Sequence, residues 1–398
     1  MRGLRVAMIG QRGLPATYGG IEHHVEQVGA RLAARGHEVT VFCRAHYAPE
    51  RLGRYRGMRL RHLPTVGTKH LDAIVHSALS TLCAMARRFD VVHYHALGPG
   101  LLAPLPRYLS RARVVQTIHG LDYERAKWGR GARTLLKAAG WMSGHVPDAT
   151  IAVSASLAEH YARRYGRPAL HIPNGVREAV RRPPGQILRR FGLTPGGYFL
   201  FVGRLVPEKA PDLLVRAFRR VPGDHRLVLA GGSGFTGPYV SSLERLAAED
   251  LRVVLAGYVY GPALEELYSN AASFVLPSLL EGLPLTLLEA ASFGLPVVVS
   301  AIAPHVEVLG EDGPGRRLVP PGDEEALAGA LGSMLNRLAG EREGACELRD
   351  RVLRAYCWDA ATDATGLVYR AVLDGGPLPP GPVRTGDAAP LATSEASP

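Results

Sequence analysis

Short apolar runs bounded by glycine and proline recur along this chain, and longer segments between them return apolar positions every three or four residues. The first kind reads as buried parallel strands and the second as amphipathic helices. Arg5-Val-Ala-Met-Ile-Gly10 gives way to a loop dense in glycine and proline; a helical pattern then covers 21–35, Gly36 stops it, and Glu38-Val-Thr-Val-Phe-Cys43 follows. That is a βαβ unit, which builds parallel sheets with ligand crevices at the strand C-termini. Further strands are predicted at 91–95, 113–118, 149–154 and 169–172. After the polar, proline-rich Arg181-Arg-Pro-Pro-Gly185 a second series begins, with strands at 198–202, 225–230, 251–256, 272–277 and 296–300 and helices at 211–221, 262–270 and 285–293. The pattern predicts two doubly wound α/β halves joined near residue 180, with a ligand cleft between them. Residues 375–398, rich in Pro, Gly, Ala and Ser, are expected to be a disordered tail.

Composition sharpens this picture only where charge is concerned. The 398 residues are 46% hydrophobic and 21% charged, the balance of a soluble globular protein. Residues 1–10 lack the apolar core of a signal peptide, and the nearly apolar stretch 71–86 carries Asp72 and His76, so it reads as an internal helix. Cys43, Cys83, Cys346 and Cys357 show no metal-like or redox-like pairing, which points to a reduced, cytoplasmic protein. Net charge is +11, but residues 1–180 hold 26 Lys and Arg against 11 Asp and Glu, whereas the remainder is net acidic. Only four of the 47 basic residues are lysine, a bias of composition that weakens charge as a functional signal. The arginines are dispersed and no nucleic-acid motif occurs, so no nucleic-acid partner is expected; peripheral contact with an anionic inner-membrane face is the better match.

The richest chemistry lies in Glu281-Gly-Leu-Pro-Leu-Thr-Leu-Leu-Glu289, between a buried-strand pattern and an apolar helix. Pro284 suits the first helical position, which leaves Glu281 at the helix N-terminus and Glu289 one to two turns inside. Two acceptor-only carboxylates beside free N–H donors suit sugar hydroxyls and phosphate together. A capped helix with two surface glutamates is the plainer alternative. The 10–20 loop lacks G-x-G-x-x-G spacing, and Cys43-Arg44 stands where a dinucleotide fold offers an acid, against a dehydrogenase. Gly19-Gly20 still allows an anion to approach the backbone, unless it is only a flexible loop tip. In the second half Gly203-Arg204 and Lys209 follow a strand, where they can reach a diphosphate or form surface ion pairs.

Together these segments resemble the retaining glycosyltransferases of family 4, with the GT-B fold of two Rossmann-like domains facing across a cleft. The resemblance spans Arg5 to about Asp374 and rests on Glu281…Glu289, Gly203-Arg204…Lys209 and Gly19-Gly20. It is closer still to a bacterial polysaccharide subgroup with R-G-x-P-A-x-Y-G-G-x-E, matched by Arg12 to Glu22, and H-G-L-D-W-x-R-A-K-W, matched by His119 to Trp128 with Tyr123 for tryptophan.

The resemblance implies an acceptor-side domain over 1–178, completed by a helix at about 358–374 that begins near Trp358, and a nucleotide-sugar domain over 186–357. It implies that Glu289 holds the ribose, Glu281 and His119 the donor sugar, and Arg204 and Lys209 the diphosphate, opposite Gly19 and Gly20. Asn174, Gly203, Gly282, Leu283, Leu285 and Thr286 would complete the donor site, and Tyr258-Val259 would pass the nucleobase. Asn174-Gly-Val176 also reads as a simple interdomain turn, and Gly231-Gly-Ser-Gly234 as a strand-exit turn. Implied too are retention of configuration, no metal and no cofactor (D-x-D is absent), a UDP-hexose or dTDP-rhamnose donor, and a polysaccharide or lipid-linked glycan acceptor. An epimerase of the same fold, or a non-catalytic nucleotide-sugar-binding scaffold at the membrane, is the alternative reading.

Overall fold

The computed structural model describes residues 3–17, 19–47, 51–66, 71–125, 128–232 and 237–379. Its strands form two sheets that share no strand. The first contains β1 (Arg5–Ile9), β2 (Glu38–Arg44), β3 (Arg54–Tyr55), β4 (Met58–Leu63), β5 (Val91–His95), β6 (Arg113–Ile118), β7 (Ala149–Ala152) and β8 (Leu170–His171), in the order 3-4-2-1-5-6-7-8. Only the β3–β4 pair is antiparallel. The second contains β9 (Tyr198–Val202), β10 (Arg226–Ala230), β11 (Val253–Gly257), β12 (Ser273–Leu276), β13 (Val297–Ser300) and β14 (Arg316–Val319), all parallel, in the order 11-10-9-12-13-14. In both, the order reverses beside the first strand of the series (β1, β9), which opens a crevice at the strand C-termini.

The strand cores follow from their residues: β1, β5, β9, β12 and β13 are almost wholly buried runs. Three strands escape the apolar-run reading, the first being the two-residue β3. Met58-Arg-Leu-Arg in β4 alternates buried and exposed positions, a half-covered edge strand whose apolar signal is diluted by arginine. Arg316–Val319 is an edge strand of the second sheet with only Val319 buried. The helix expected at 285–293 is Leu285–Ser292, and Pro284 stands one position earlier than expected, as the N-cap.

The last helix, Trp358–Asp374, leaves the second series and packs on the first. Arg35 binds Asp359 at 3.1 Å and Asp363 at 2.7 Å, and the Tyr369 hydroxyl lies 2.6 Å from His93 Nδ1 inside the first core. The chain thus crosses between the halves twice, and the crossings pair: Val176 N–H donates to the Tyr356 carbonyl at 2.8 Å, forming a bridge between Val176 and Cys357. This double tether sets one wall of the cleft against the other. Gly375 ends the helix in the left-handed region. Most of the expected tail, residues 380–398, lies outside the described residues, as do Tyr18, Lys127, Ser233 and Gly234 of the sequence motifs.

Candidate active site

Glu281 lies between β12 and the Leu285–Ser292 helix, in a loop fastened by Glu208, whose carbonyl accepts from Leu279 N–H at 2.9 Å and Leu280 N–H at 3.4 Å. The same stretch after β9 carries Lys209, and Lys209 Nζ donates to Glu281 Oε1 at 2.5 Å. Reading along the chain treats these two as separate ligands; the fold makes them a buried pair, the side chains 13% and 10% exposed. Burial alone would raise the Glu281 pKa, but Lys209 outweighs it and holds the carboxyl below its usual range. Arg204 keeps 35% of its side chain exposed and sits 3.8 Å from Glu208. Burial and then the Arg125 charge lower its pKa, Glu208 and Glu281 oppose that, and Arg12 adds a third positive charge. Arg12 and Arg125 come from the first half and stand in the two motifs quoted above, yet had no assigned role. Only the folded proximity reveals the cationic cluster.

Glu289 lies mid-helix, where its Oε2 accepts from the Tyr268 hydroxyl at 3.2 Å. Burial pushes its pKa up to about 7, with Tyr268 pulling the other way. Tyr268 is itself locked by stacking on Phe293, ring centroids 5.2 Å apart. At the helix start, Leu285 and Thr286 N–H find no acceptor among the described residues, and no side chain caps the helix. The first helix, Gly20–Ala34, is likewise uncapped. Its start faces the other: a Cβ built on Gly20 would stand 3.5 Å from Leu285 Cδ1. Two helix N-termini, each with free donors and a positive dipole end, therefore converge on one point.

The loop before the first helix is shaped by carboxylates that sequence reading left without a role. Glu22 Oε1 accepts from Arg12 N–H at 2.9 Å, and Glu26 Oε2 from Ala16 N–H at 2.8 Å. Gly19 has φ 107, in the left-handed region, and a Cβ there would stand 2.1 Å from Glu22 Oε2, so only glycine lets this staple close. Gly282, from the second half, reaches the first so closely that a Cβ would stand 1.9 Å from the His119 carbonyl oxygen. Leu283 is buried beside it.

His119, after β6, faces His95 at 3.3 Å between Nε2 and Nδ1, and burial holds it neutral, its pKa well below the usual value. Asn174, in the buried crossover, accepts through Oδ1 from His24 Nδ1 at 2.7 Å, which ties it to the first helix. Gly203 N–H pairs with the Ala230 carbonyl at 3.0 Å, which aims the Arg204 turn toward the cleft. Tyr258 and Val259 follow β11 at the same end of the sheet; Tyr258 is 44% exposed and stacks on Tyr260 with centroids 5.9 Å apart. Thr286 leaves Oγ1 buried with no hydrogen bond among the described residues.

Two parallel sheets, a tethered cleft, converging helix N-termini and a Lys–Glu pair beside an arginine define a class: the GT-B glycosyltransferases. Comparison with known proteins agrees. A family model described as Glycosyltransferase Family 4 matches residues 18–180, and one described as Glycosyl transferases group 1 matches 196–337. The GDP-mannose-dependent alpha-(1-6)-phosphatidylinositol monomannoside mannosyltransferase of Mycolicibacterium smegmatis is 30% identical over 351 residues, 81% of this chain and 87% of that protein. D-inositol 3-phosphate glycosyltransferase of Acidothermus cellulolyticus is 30% identical over 414 residues, with 93% and 90% covered. Sucrose-phosphate synthase of Thermosynechococcus elongatus superposes with a TM-score of 0.81 at 25% identity, over 94% of this chain and all of that one. Anabaena HepE in complex with UDP-glucose gives 0.76 at 16% identity over 94% and 100%, a likeness of fold. The chain belongs to glycosyltransferase family 4 and is a transferase of GT-B fold.

Proposed function

We propose that this transferase moves a hexose, with retention, from a nucleoside diphosphate sugar to a phosphate-bearing acceptor such as a lipid-linked glycan or growing polysaccharide, without a catalytic metal. The observation that carries this reading is the Lys209–Glu281 pair beside Arg204, where the two uncapped helices converge. The donor diphosphate lies there: Arg204 as a fork, Lys209 as a point charge, and the Leu285, Thr286 and Gly20 N–H groups as neutral donors. As the bond between the anomeric carbon and the diphosphate oxygen breaks, negative charge grows on that oxygen, and this cradle stabilises it without reorganising. Glu281 takes a sugar hydroxyl while Lys209 keeps it ionised. Glu289 takes the ribose hydroxyls.

Lys209 on Glu281 Oε1 and Tyr268 on Glu289 Oε2 make both carboxylates weaker nucleophiles, and each is assigned here to a substrate hydroxyl. This supports attack by the acceptor on the face the phosphate leaves, the leaving phosphate oxygen accepting the acceptor hydroxyl's proton as the new bond forms. His119 beside the sugar favours a donor with a 6-hydroxyl, hence a UDP-hexose over a 6-deoxy sugar. The Tyr258–Tyr260 stack offers a platform for the base. The two 30%-identical relatives are named for a phosphatidylinositol mannoside and an inositol phosphate; Arg12 and Arg125 on the acceptor side suit such an anion.

Membrane contact has a candidate surface. The helix Arg130–His145 contains no acidic residue, carries Arg130, Arg133 and Lys137, and exposes Leu135 (46%) and Trp141 (55%). No helix among the described residues is long and apolar enough to cross a membrane. Trp141→Ser should weaken sedimentation with anionic liposomes at low salt; unchanged sedimentation would remove the helix from the reading. The activity itself is tested by offering UDP-glucose, UDP-galactose, GDP-mannose and dTDP-rhamnose with a bacterial lipid extract and following product by mass. Acceptor-dependent use of one UDP-hexose, with an unchanged anomeric configuration by NMR, is expected. Use of dTDP-rhamnose alone would overturn the role given to His119, and an inverted product would overturn the mechanism.

A further inference from the structure

His24, His95 and His119 come from three separate elements (the first helix and the ends of β5 and β6), and one ring nitrogen of each lies within 4.8 Å of the others. His95 Nδ1 and His119 Nε2 are 3.3 Å apart. Two nitrogens on one tetrahedral ion, at bonds of about 2.0–2.1 Å, stand about 3.3–3.4 Å apart, so this spacing serves an ion as well as a hydrogen bond. His24 is oriented from behind. Its Nδ1 meets Asn174 Oδ1 at 2.7 Å, and a carbonyl oxygen only accepts, so Nδ1 carries the proton and Nε2 a lone pair. That Nε2 is buried with no partner among the described residues. A carbonyl fixing the far nitrogen of a ligating histidine is the usual second layer of an imidazole–metal site.

Histidine clusters also arise as packed polar cores, and this one has such neighbours. His93 stacks on His95 with centroids 4.2 Å apart, but both its nitrogens are satisfied, by Tyr369 at 2.6 Å and Thr117 at 2.7 Å. The contrast separates a structural histidine from His24, whose inner nitrogen has no partner among the described residues.

We infer that His24, His95 and His119 form a binding site for a zinc-class divalent cation at the sugar end of the cleft. Imidazole nitrogen favours Zn²⁺, Ni²⁺ and Cu²⁺; with no oxygen ligand in the set, Mg²⁺ and Ca²⁺ are excluded. His119 reaches the cleft, so the ion would stand where the donor sugar stands. That part rests on the function proposed above: the cation and the nucleotide sugar would exclude each other, and the ion would inhibit transfer.

The test uses the full chain, freed of metal by chelation, with Co²⁺ followed by visible absorption and Zn²⁺ by calorimetry. One tetrahedral Co²⁺ per chain, displaced by Zn²⁺ and not by Mg²⁺, is expected, with nitrogen ligands in the X-ray absorption fine structure. His24→Gln and His95→Gln should each weaken binding by about tenfold or more, as should Asn174→Ala, which removes no ligand; His225→Gln in the other half should not. Melting curves identify any variant that fails to fold, and Asn174→Ala keeps the test open if a histidine variant does. No tetrahedral band, or affinity unchanged in folded His24→Gln, His95→Gln and Asn174→Ala, would overturn the site. Its overlap with the donor is read separately: Zn²⁺ should raise the donor KM, with kcat restored at high donor. Histidine-dependent binding with transfer unaffected would keep the ion and overturn the placement of the donor sugar at His119.

Discussion

The two walls of the cleft work by opposite electrostatics. The second-half wall is built from charge: Lys209 buried against Glu281, Arg204 beside Glu208, and Glu289 half-neutralised by burial near neutral pH. The first-half wall brings Arg12 and Arg125 to the charged end, but around His119 it is built from neutral imidazoles, His24, His93, His95 and His119, all kept uncharged by burial and backed by Asn174 and Tyr369. Charge is needed where a phosphate departs, because only fixed positive charge follows the developing negative one. Neutral hydrogen-bonding groups can serve sugar hydroxyls, which carry no charge, alongside the carboxylate of Glu281. The diphosphate therefore depends on the charged wall and the sugar on both, and variants of the two should fail in different ways.

The largest failures should come from the charged wall. Arg204→Ala and Lys209→Ala are each expected to lower kcat by about 10²–10³, the usual loss of one electrostatic donor. They differ in stability. Lys209→Ala strands Glu281 in a buried position, which costs about 3–5 kcal/mol, whereas Arg204→Ala removes only a long contact, 3.8 Å, from buried Glu208 and should cost less. Single-turnover rates beside melting curves separate the two effects. Near-wild-type turnover in both variants would remove the charged wall from catalysis.

Next in size is the place where the walls touch. A Cβ at Gly282 would stand 1.9 Å from the His119 carbonyl oxygen, so Gly282→Ala must push the walls apart. A displacement of about 1 Å in a reacting geometry can cost about 10² in rate. We expect kcat/KM to fall by that order while each half keeps its secondary structure by circular dichroism. Full activity in Gly282→Ala would show that transfer does not need this approach of the walls.

How much of this was legible depended on sequence distance more than on chemistry. The strands that reach the cleft are buried runs and announce themselves; β4 hid because arginines alternate with its apolar side chains. Individual charged residues stood out in short motifs, but their pairings did not. Lys209 and Glu281 are 72 positions apart, His24 and Asn174 150, and His93 and Tyr369 276. No local period encodes such contacts; they arise from strand order and the returning last helix. The contact between Asn174 and His24 is one that no local pattern announces. Arg12 and Arg125 sat in quoted motifs, and only the closed cleft gave them a shared purpose.

A smaller effect tests the ribose end of the charged wall. With its pKa pushed up to about 7, Glu289 is largely protonated in mildly acidic solution and must release a proton before it can accept from ribose hydroxyls. The donor KM should therefore rise as pH falls below about 7, approaching tenfold per unit as one proton is displaced by binding. The sign follows from the carboxylate being the binding form: affinity is gained as pH rises through the pKa of the free enzyme and is flat above it. Glu289→Gln should raise KM at high pH and remove the dependence. A KM that stays pH-dependent in Glu289→Gln would assign the titration to another group.

The smallest effect belongs to the imidazole wall and should appear in stability alone. Tyr369 on the returning helix holds His93 Nδ1 at 2.6 Å, with Tyr369, His93 and Thr117 all buried. Tyr369→Phe keeps the ring and removes the partner, leaving a buried nitrogen unpaired at about 1–3 kcal/mol. The unfolding free energy from denaturant titration should fall by that amount with kcat and donor KM unchanged, because His93 bears on the sugar only through His95 and His119. A loss of turnover larger than the loss of stability would mean that the column of rings positions His119 for transfer. The neutral wall would then share in catalysis, and the division of labour across the cleft would be less sharp than its charges imply.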